Sequence, residues 1–85
     1  MSNYFILVGK IEHYEFYGVC GVLALNVEGN LFSVVIPTAL CEEHEELFAP
    51  GKVIGVSGDL GLVIDNVILK AQKIIETGEV SNDRC

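Results

Sequence analysis

Apolar residues in this chain gather into five runs rich in β-branched side chains, punctuated by glycine, proline and short polar segments. In the first run, Tyr4 to Glu12, residues Tyr4, Ile6, Val8 and Lys10 alternate with Phe5, Leu7, Gly9 and Ile11. Both alternating sets are largely apolar, which predicts burial between neighbouring strands or in an oligomer contact. A polar and aromatic connection, His13 to Gly18, follows. Val19 to Val27 and Leu31 to Ile36 read as two strands joined by Glu28-Gly29-Asn30, whose residues suit the positive φ of a tight hairpin. Pro37 has no N–H to donate and ends the third strand. Thr38 is then placed to cap a short helix inside Thr38 to Phe48, with Ala39, Leu40, Glu43 and Leu47 on one face. Val53 to Ile64 reads as a long bent fourth strand, Asp65-Asn66 as a turn and Val67 to Ile75 as the fifth strand. Gly9, Gly55 and Gly58 sit inside strand patterns, where glycine marks a bend, a bulge or close backbone approach.

Five strands with one short helix between the third and fourth is the order of an all-β OB-fold, a Greek-key barrel. Eighty-five residues make one domain with one modest core, assigned to residues 1–77, with a short polar tail over 78–85. Half the residues are hydrophobic and the mean hydropathy is +0.46, more apolar than a lone small domain needs. The excess predicts a homo-oligomer, a symmetric dimer or a tetramer of dimers, with the first strand at or near the contact. The longest apolar runs fall far short of a membrane span, and no signal-peptide pattern precedes Tyr4, so a cytoplasmic protein without a membrane partner is expected. Cys20, Cys41 and Cys85 form no paired spacing and read as reduced thiols.

Net charge is −7, opposite in sign to that of most nucleic-acid binders. Much of it lies in Glu42, Glu43, Glu45 and Glu46 and in the tail, so the remaining barrel is nearly neutral. Four lysines, Lys10, Lys52, Lys70 and Lys73, would give a salt slope of only about −3 if all met phosphates of a single strand, so any binding is expected to be weak and salt-sensitive. No nucleophile elbow, Walker loop, dinucleotide fingerprint or zincin motif occurs. The chain is therefore expected to act by binding, without catalysis or cofactor. Cys41 and His44 have a Cys-x-x-His spacing, but no second pair completes a zinc site, and no metal is expected. Tyr14, Phe16 and Tyr17 lie between the first two strands, where rings either stack on bases or close the barrel end and fill an oligomer contact.

Residues 3–75 resemble the bacterial single-stranded DNA-binding proteins, most specifically in Asn3 to Ile11, Leu23-Ala24-Leu25-Asn26 and Gly51 to Leu60. The resemblance implies an OB-fold that binds single-stranded DNA in replication, recombination or mobile-element maintenance. In the family's register Leu23, Leu25, Leu31, Ser33 and Val35 point inward, while Val22, Ala24, Asn26, Phe32, Val34 and Ile36 form the outward ligand face. The nucleic-acid-binding set so implied is Lys10, Tyr14, Phe16, Tyr17, Phe32, Val34 and Ile36. Where the family has an aromatic this chain has Ile36, and where it has a longer basic hairpin this chain has Leu60 to Asn66. The alternative reading is an OB-fold accessory subunit, in a replication or conjugation complex, that uses the apolar face for protein contact and does not bind nucleic acid.

Overall fold

In a computed structural model, which describes residues 3–63 and 66–76, five strands close into a barrel in the order β1-β2-β3-β5-β4. The strands are β1 (Tyr4–Phe16), β2 (Cys20–Val27), β3 (Asn30–Pro37), β4 (Val53–Val63) and β5 (Asn66–Glu76). Between β3 and β4 lie a helix, α1 (Thr38–Glu43), and a short 3-10 turn (Glu45–Leu47). This is the all-β OB-fold expected from the pattern of runs. The expected tail over 78–85 and Asp65 of the expected turn lie outside the described residues.

β1 is longer than its sequence pattern suggests, because the segment read as a connection continues the strand as far as Phe16. It serves two neighbours: Tyr4 to Lys10 pair with β4 and Lys10 to Phe16 with β2. A bulge between Ile11 and His13 makes the change of partner. An extra residue there bends the strand and reverses which alternate residues face inward. Phe5 and Ile11 accordingly point into the core before the bulge, and the half-buried Tyr14, opposite Leu23, does so after it. Glu12, at the bulge, accepts a 2.9 Å hydrogen bond from Asn26 Nδ2.

The second bulge lies between β4 and β5, where Ser57 pairs with Lys73 but Gly58 pairs with Ala71. Gln72 is the extra residue, and its amide donates 2.7 Å to Asp59 Oδ2. Gly58 is required here by close approach: a Cβ would run into the carbonyl oxygen of Lys70.

The barrel core takes inward pairs from every strand, among them Leu23 and Leu25, Val34 and Ile36, and Ile54 and Val56. This corrects the expected orientation of β3. Val34 and Ile36 were expected to point outward, yet both are fully buried, whereas Leu31 and Ser33, expected inward, are exposed. The reason is the length of the hairpin loop. Only Glu28 and Gly29 form it, with φ of 54° and 92°, and Val27 pairs directly with Asn30. Counting Asn30 as a third loop residue slips the register by one, which moves every β3 side chain to the opposite face.

The helical segment closes one end of the barrel. Cys41 and Phe48 are its buried residues, and the Phe48 ring packs 4.8 Å from that of Tyr14. Thr38 was expected to cap α1, but Pro37 holds the cap position and Thr38 is the first helical residue. Its hydroxyl instead donates 2.6 Å to the Val19 carbonyl, tying the helix to the β1–β2 turn. The helix ends after six residues because His44 leaves helical geometry, with φ −120° and ψ 27°.

The buried position of Ile36 has a measurable consequence. Ile36→Ala should lower the unfolding free energy by about 2 to 5 kcal/mol in urea denaturation, the cost of a core cavity. A loss below about 1 kcal/mol would return Ile36 to the surface.

Candidate nucleic-acid interface

The helical segment plugs the end of the barrel that holds Tyr14 and Ile36, and among the described residues nothing plugs the opposite end in the same way. β3 and β5 pair only at Val34↔Leu69 and Val35↔Lys70, so beyond those positions the two strands separate. The separation opens a groove of about 450 Å³ lined by Phe5 and Leu7 of β1, Leu31, Phe32 and Ser33 of β3, Leu60 of β4, and Val67 and Leu69 of β5. Phe32 belongs to the inward column of β3, opposite Leu25, yet it sits at the mouth and is about one-third exposed. Among the described lining residues Ser33 has the one polar side chain.

The β4–β5 hairpin forms one wall. As the reading of a fourth strand to Ile64 and a fifth from Val67 implies, its ladder runs on through Leu60↔Leu69, Gly61↔Ile68, Leu62↔Val67 and Val63↔Asn66. These four pairs lie past Asp59, the last β4 residue that β1 reaches. The hairpin therefore projects as an arm, and it carries Leu62 at 76% exposure together with exposed Val67 and Ile68.

The seven residues predicted to bind nucleic acid do not form one surface. Val34 and Ile36 are core residues, as described above. Tyr14 is an internal group as well: it packs on Phe48 and hydrogen-bonds Cys41. Burial first, then Cys41 and the Glu45 carboxylate, push its phenol ionisation well above the ordinary value. Phe16 and Tyr17 are exposed at the β1–β2 turn. Phe16 pairs with Gly21 and Gly21 with Ile36, four positions along β3 from Phe32, or about 13 Å. The Tyr17 hydroxyl donates 3.3 Å to Glu15, whose charge raises the Tyr17 pKa. Lys10 lies on the outer face of β1, on the row of Tyr4, Ile6 and Val8, and away from the groove. Of the seven, Phe32 alone lines the groove.

The outer face of β2 and β3 carries small side chains instead of rings. Cross-strand pairs Val22↔Val35 and Ala24↔Ser33 make up its centre, and Glu15 and His13 flank it on β1. His13 Nε2 lies 3.5 Å from Glu15 Oε1. Phe5, Leu60, Val67 and Leu69 were missed as groove residues. Counting the hairpin as a two-residue loop would have put Phe32 on the inward row and pointed to the barrel mouth.

Charge is segregated along the barrel axis. Glu42, Glu43, Glu45 and Glu46 all lie on the helical segment, at the end remote from the groove. Lys70, next to the groove residue Leu69, borders the mouth from the outer side of β5. Cys41 is buried, and its thiol donates 3.4 Å to the Ile36 carbonyl. His44 Nε2 lies 3.9 Å from Glu43. Among the described residues no three His, Cys, Asp or Glu side chains gather to hold a metal ion.

No protein-family model matches the chain, and no curated protein does either. Among solved structures it is similar to a chain in the crystal structure of the S. pombe Stn1-ten1 complex. The TM-score is 0.68 at 22% identity, over 93% of this chain and 61% of that chain. The likeness establishes the OB-fold, and the present chain spans less than two thirds of that chain's length.

Tyr14 gives this end of the barrel a pH signature. Its ionisation is raised in the folded state, so the stability it supports is complete below the ordinary phenol pKa of about 10 and declines as pH rises further. Unfolding free energy should be insensitive to Tyr14 at neutral pH and fall above about pH 10. In Tyr14→Phe that alkaline decline should shrink, and an unchanged decline in denaturant titrations would assign it to other groups.

Proposed function

We propose that the chain is an OB-fold module that binds single-stranded nucleic acid, DNA first, at the barrel mouth. The observation that carries this reading is the open groove with the Phe32 ring at its lip, at the end of the barrel away from the four clustered glutamates. A base entering the groove stacks on Phe32 and is enclosed by Leu31, Leu60 and Val67. A stacked base contributes about 1 to 3 kcal/mol, whereas among the described residues the cation bordering the groove is Lys70, opposite Asp59 on β4, which limits the phosphate contribution to a salt slope of about −0.7. Affinity on this account is apolar and aromatic more than ionic. From the mouth the strand runs over the small residues Ala24, Ser33, Val22 and Val35 towards Tyr17 at the β1–β2 turn, where the Glu15 carboxylate weakens the contact.

The module acts by binding, without catalysis. Its role is in DNA replication, recombination or mobile-element maintenance, as the resemblance to bacterial single-strand binders implies. A cytoplasmic setting accords with the free thiols of Cys20 and Cys41. A second reading, an accessory subunit that contacts protein at the mouth, is favoured by Leu62 and Val67 on the projecting arm. The similar S. pombe chain is likewise part of a complex.

Fluorescence anisotropy with labelled oligo-dT at low and moderate salt separates the two readings. Binding should appear at low salt, fall only slightly with added salt, and weaken about tenfold in Phe32→Ala, a loss near 1.4 kcal/mol. Tyr17→Ala should weaken it less than Phe32→Ala. Absence of binding at low salt, with the wild-type chain folded, would transfer the groove to the protein-contact reading.

A further inference from the structure

Leu31, Phe32 and Ser33 are consecutive on β3, yet all three line the groove. Side chains alternate between the faces of a strand, so three in succession mean that this wall is the backbone edge of β3 itself. The register says which backbone groups lie on that edge. In an antiparallel ladder alternate residues turn both N–H and C=O to the partner strand, and the pair that closes a two-residue hairpin is a bonded one. Val27↔Asn30 is that pair here, so Phe32 and Val34 bond to β2, while Leu31, Ser33 and Val35 turn the other way, towards β5. β5 reaches only Val34 and Val35. Among the described residues, the Leu31 N–H and C=O and the Ser33 N–H therefore meet no strand partner.

Such an edge is a template for a further strand, and folded proteins guard theirs with charge, proline or a bulge. Asn30 to Ser33 carries no charge and no proline, and its register with β2 is unbroken. Leu31 and Val67 stand exposed on either side of the groove, and the buried Phe5 lies within it. An extended chain fits both features at once: its backbone pairs with the edge, and every second side chain enters the groove.

Charge selects among extended chains. The charged side chains at this end of the β2–β3 hairpin are Glu28 in its loop, Glu12, which is bonded to Asn26 opposite Leu31, and Lys10, which pairs with Asn26 from β1. They sum to −1 in a chain of net charge −7, which draws in a segment carrying lysine or arginine and repels one carrying carboxylates. We propose that the β3 edge at Leu31 and Ser33 accepts, as an added strand, an extended apolar segment of another protein flanked by basic residues. The edge from Asn30 to Ser33 spans about 13 Å, so the segment pairs over about four residues. This rests on the protein-contact reading of the mouth and gives it a mode and a class of partner. A segment seated there fills the space that a stacked base would take, so the two ligands exclude each other.

Amide hydrogen exchange followed by NMR tests the proposal, using the wild-type chain and a capped peptide of alternating valine and threonine with lysines at both ends, titrated to about 1 millimolar. In the free protein Phe32 and Val34 should exchange slowly and Leu31 and Ser33 fast. The peptide should slow Leu31 and Ser33 about fivefold or more. The same peptide with glutamates in place of the lysines should bind at least about tenfold more weakly. Ser33→Pro removes the N–H without touching the β2 ladder and should weaken binding at least about tenfold, whereas Ser33→Ala should leave it unchanged. No binding at the highest concentration, equal affinity for both peptides, or a folded Ser33→Pro that binds as the wild type does would each overturn strand addition. Binding that leaves Leu31 and Ser33 exchanging freely would overturn it too, while keeping a protein contact at the mouth, so the two readings fail separately. Slow exchange at Leu31 and Ser33 in the free protein, with a dimeric mass, would assign the edge to a second copy instead. Slowing by oligo-dT but not by peptide would assign it to nucleic acid.

Discussion

The two-residue turn at Glu28 and Gly29 controls more of this molecule than any other local feature. Both residues hold positive φ, a conformation that glycine takes without strain and that Glu28 adopts at some cost. Gly29 N donates 2.8 Å to the Asn26 side chain, which braces the turn from the β2 side. Because the loop holds two residues, Leu25 meets Phe32 and Leu23 meets Val34, and these pairs look into the barrel together. One more loop residue would place Leu31, Ser33 and Val35 inside. The barrel would then enclose a serine hydroxyl and expose two β-branched residues and a phenylalanine.

Once that register is set, the two bulges determine where the barrel closes and where it stays open. At Glu12 the bulge lets one strand pair with β4 along its first half and β2 along its second, which a straight strand could not do. The bulge at Gln72 lets β5 keep Ile74 and Ala71 both inward while it curves towards β3. β5 then reaches β3 for only two paired positions. The short contact is enough to close the sheet but leaves the strands splayed at the Phe32 end, and the projecting β4–β5 arm follows from the same curvature. The candidate site is thus a product of barrel closure.

The two sides of β1 present different surfaces. Its inward residues Phe5 and Leu7 help to line the groove, and its outward residues Tyr4, Ile6 and Val8 form an exposed apolar row. Alternation along a strand makes this possible, since consecutive side chains serve different surfaces without competing. The glutamate-rich segment plugs the remote end through Cys41 and Phe48 and holds four of the twelve acidic residues away from the groove.

Five strands, the hairpin, the position of the helix and the bulge at Gly58 were legible in the sequence, because β-branched runs, turn residues and isolated glycines act through local backbone preference. Leu23 and Leu25 were also correctly placed inward, since β2 is uninterrupted and its alternation is unambiguous. What the sequence left open was the phase of β3 and the fate of the rings. Val34 and Ile36 are no more apolar than Val35 between them or Leu31 before them, so alternation alone does not say which side is inside, and a single loop residue decides it. Tyr14 reads as an exposed loop aromatic until a bulge turns it inward onto Phe48, a residue 34 positions away that only the folded chain brings near. Phe5, Phe32 and Val67 come together for the same reason: a groove formed by the ends of four strands depends on contacts distant in sequence, and no local pattern records them.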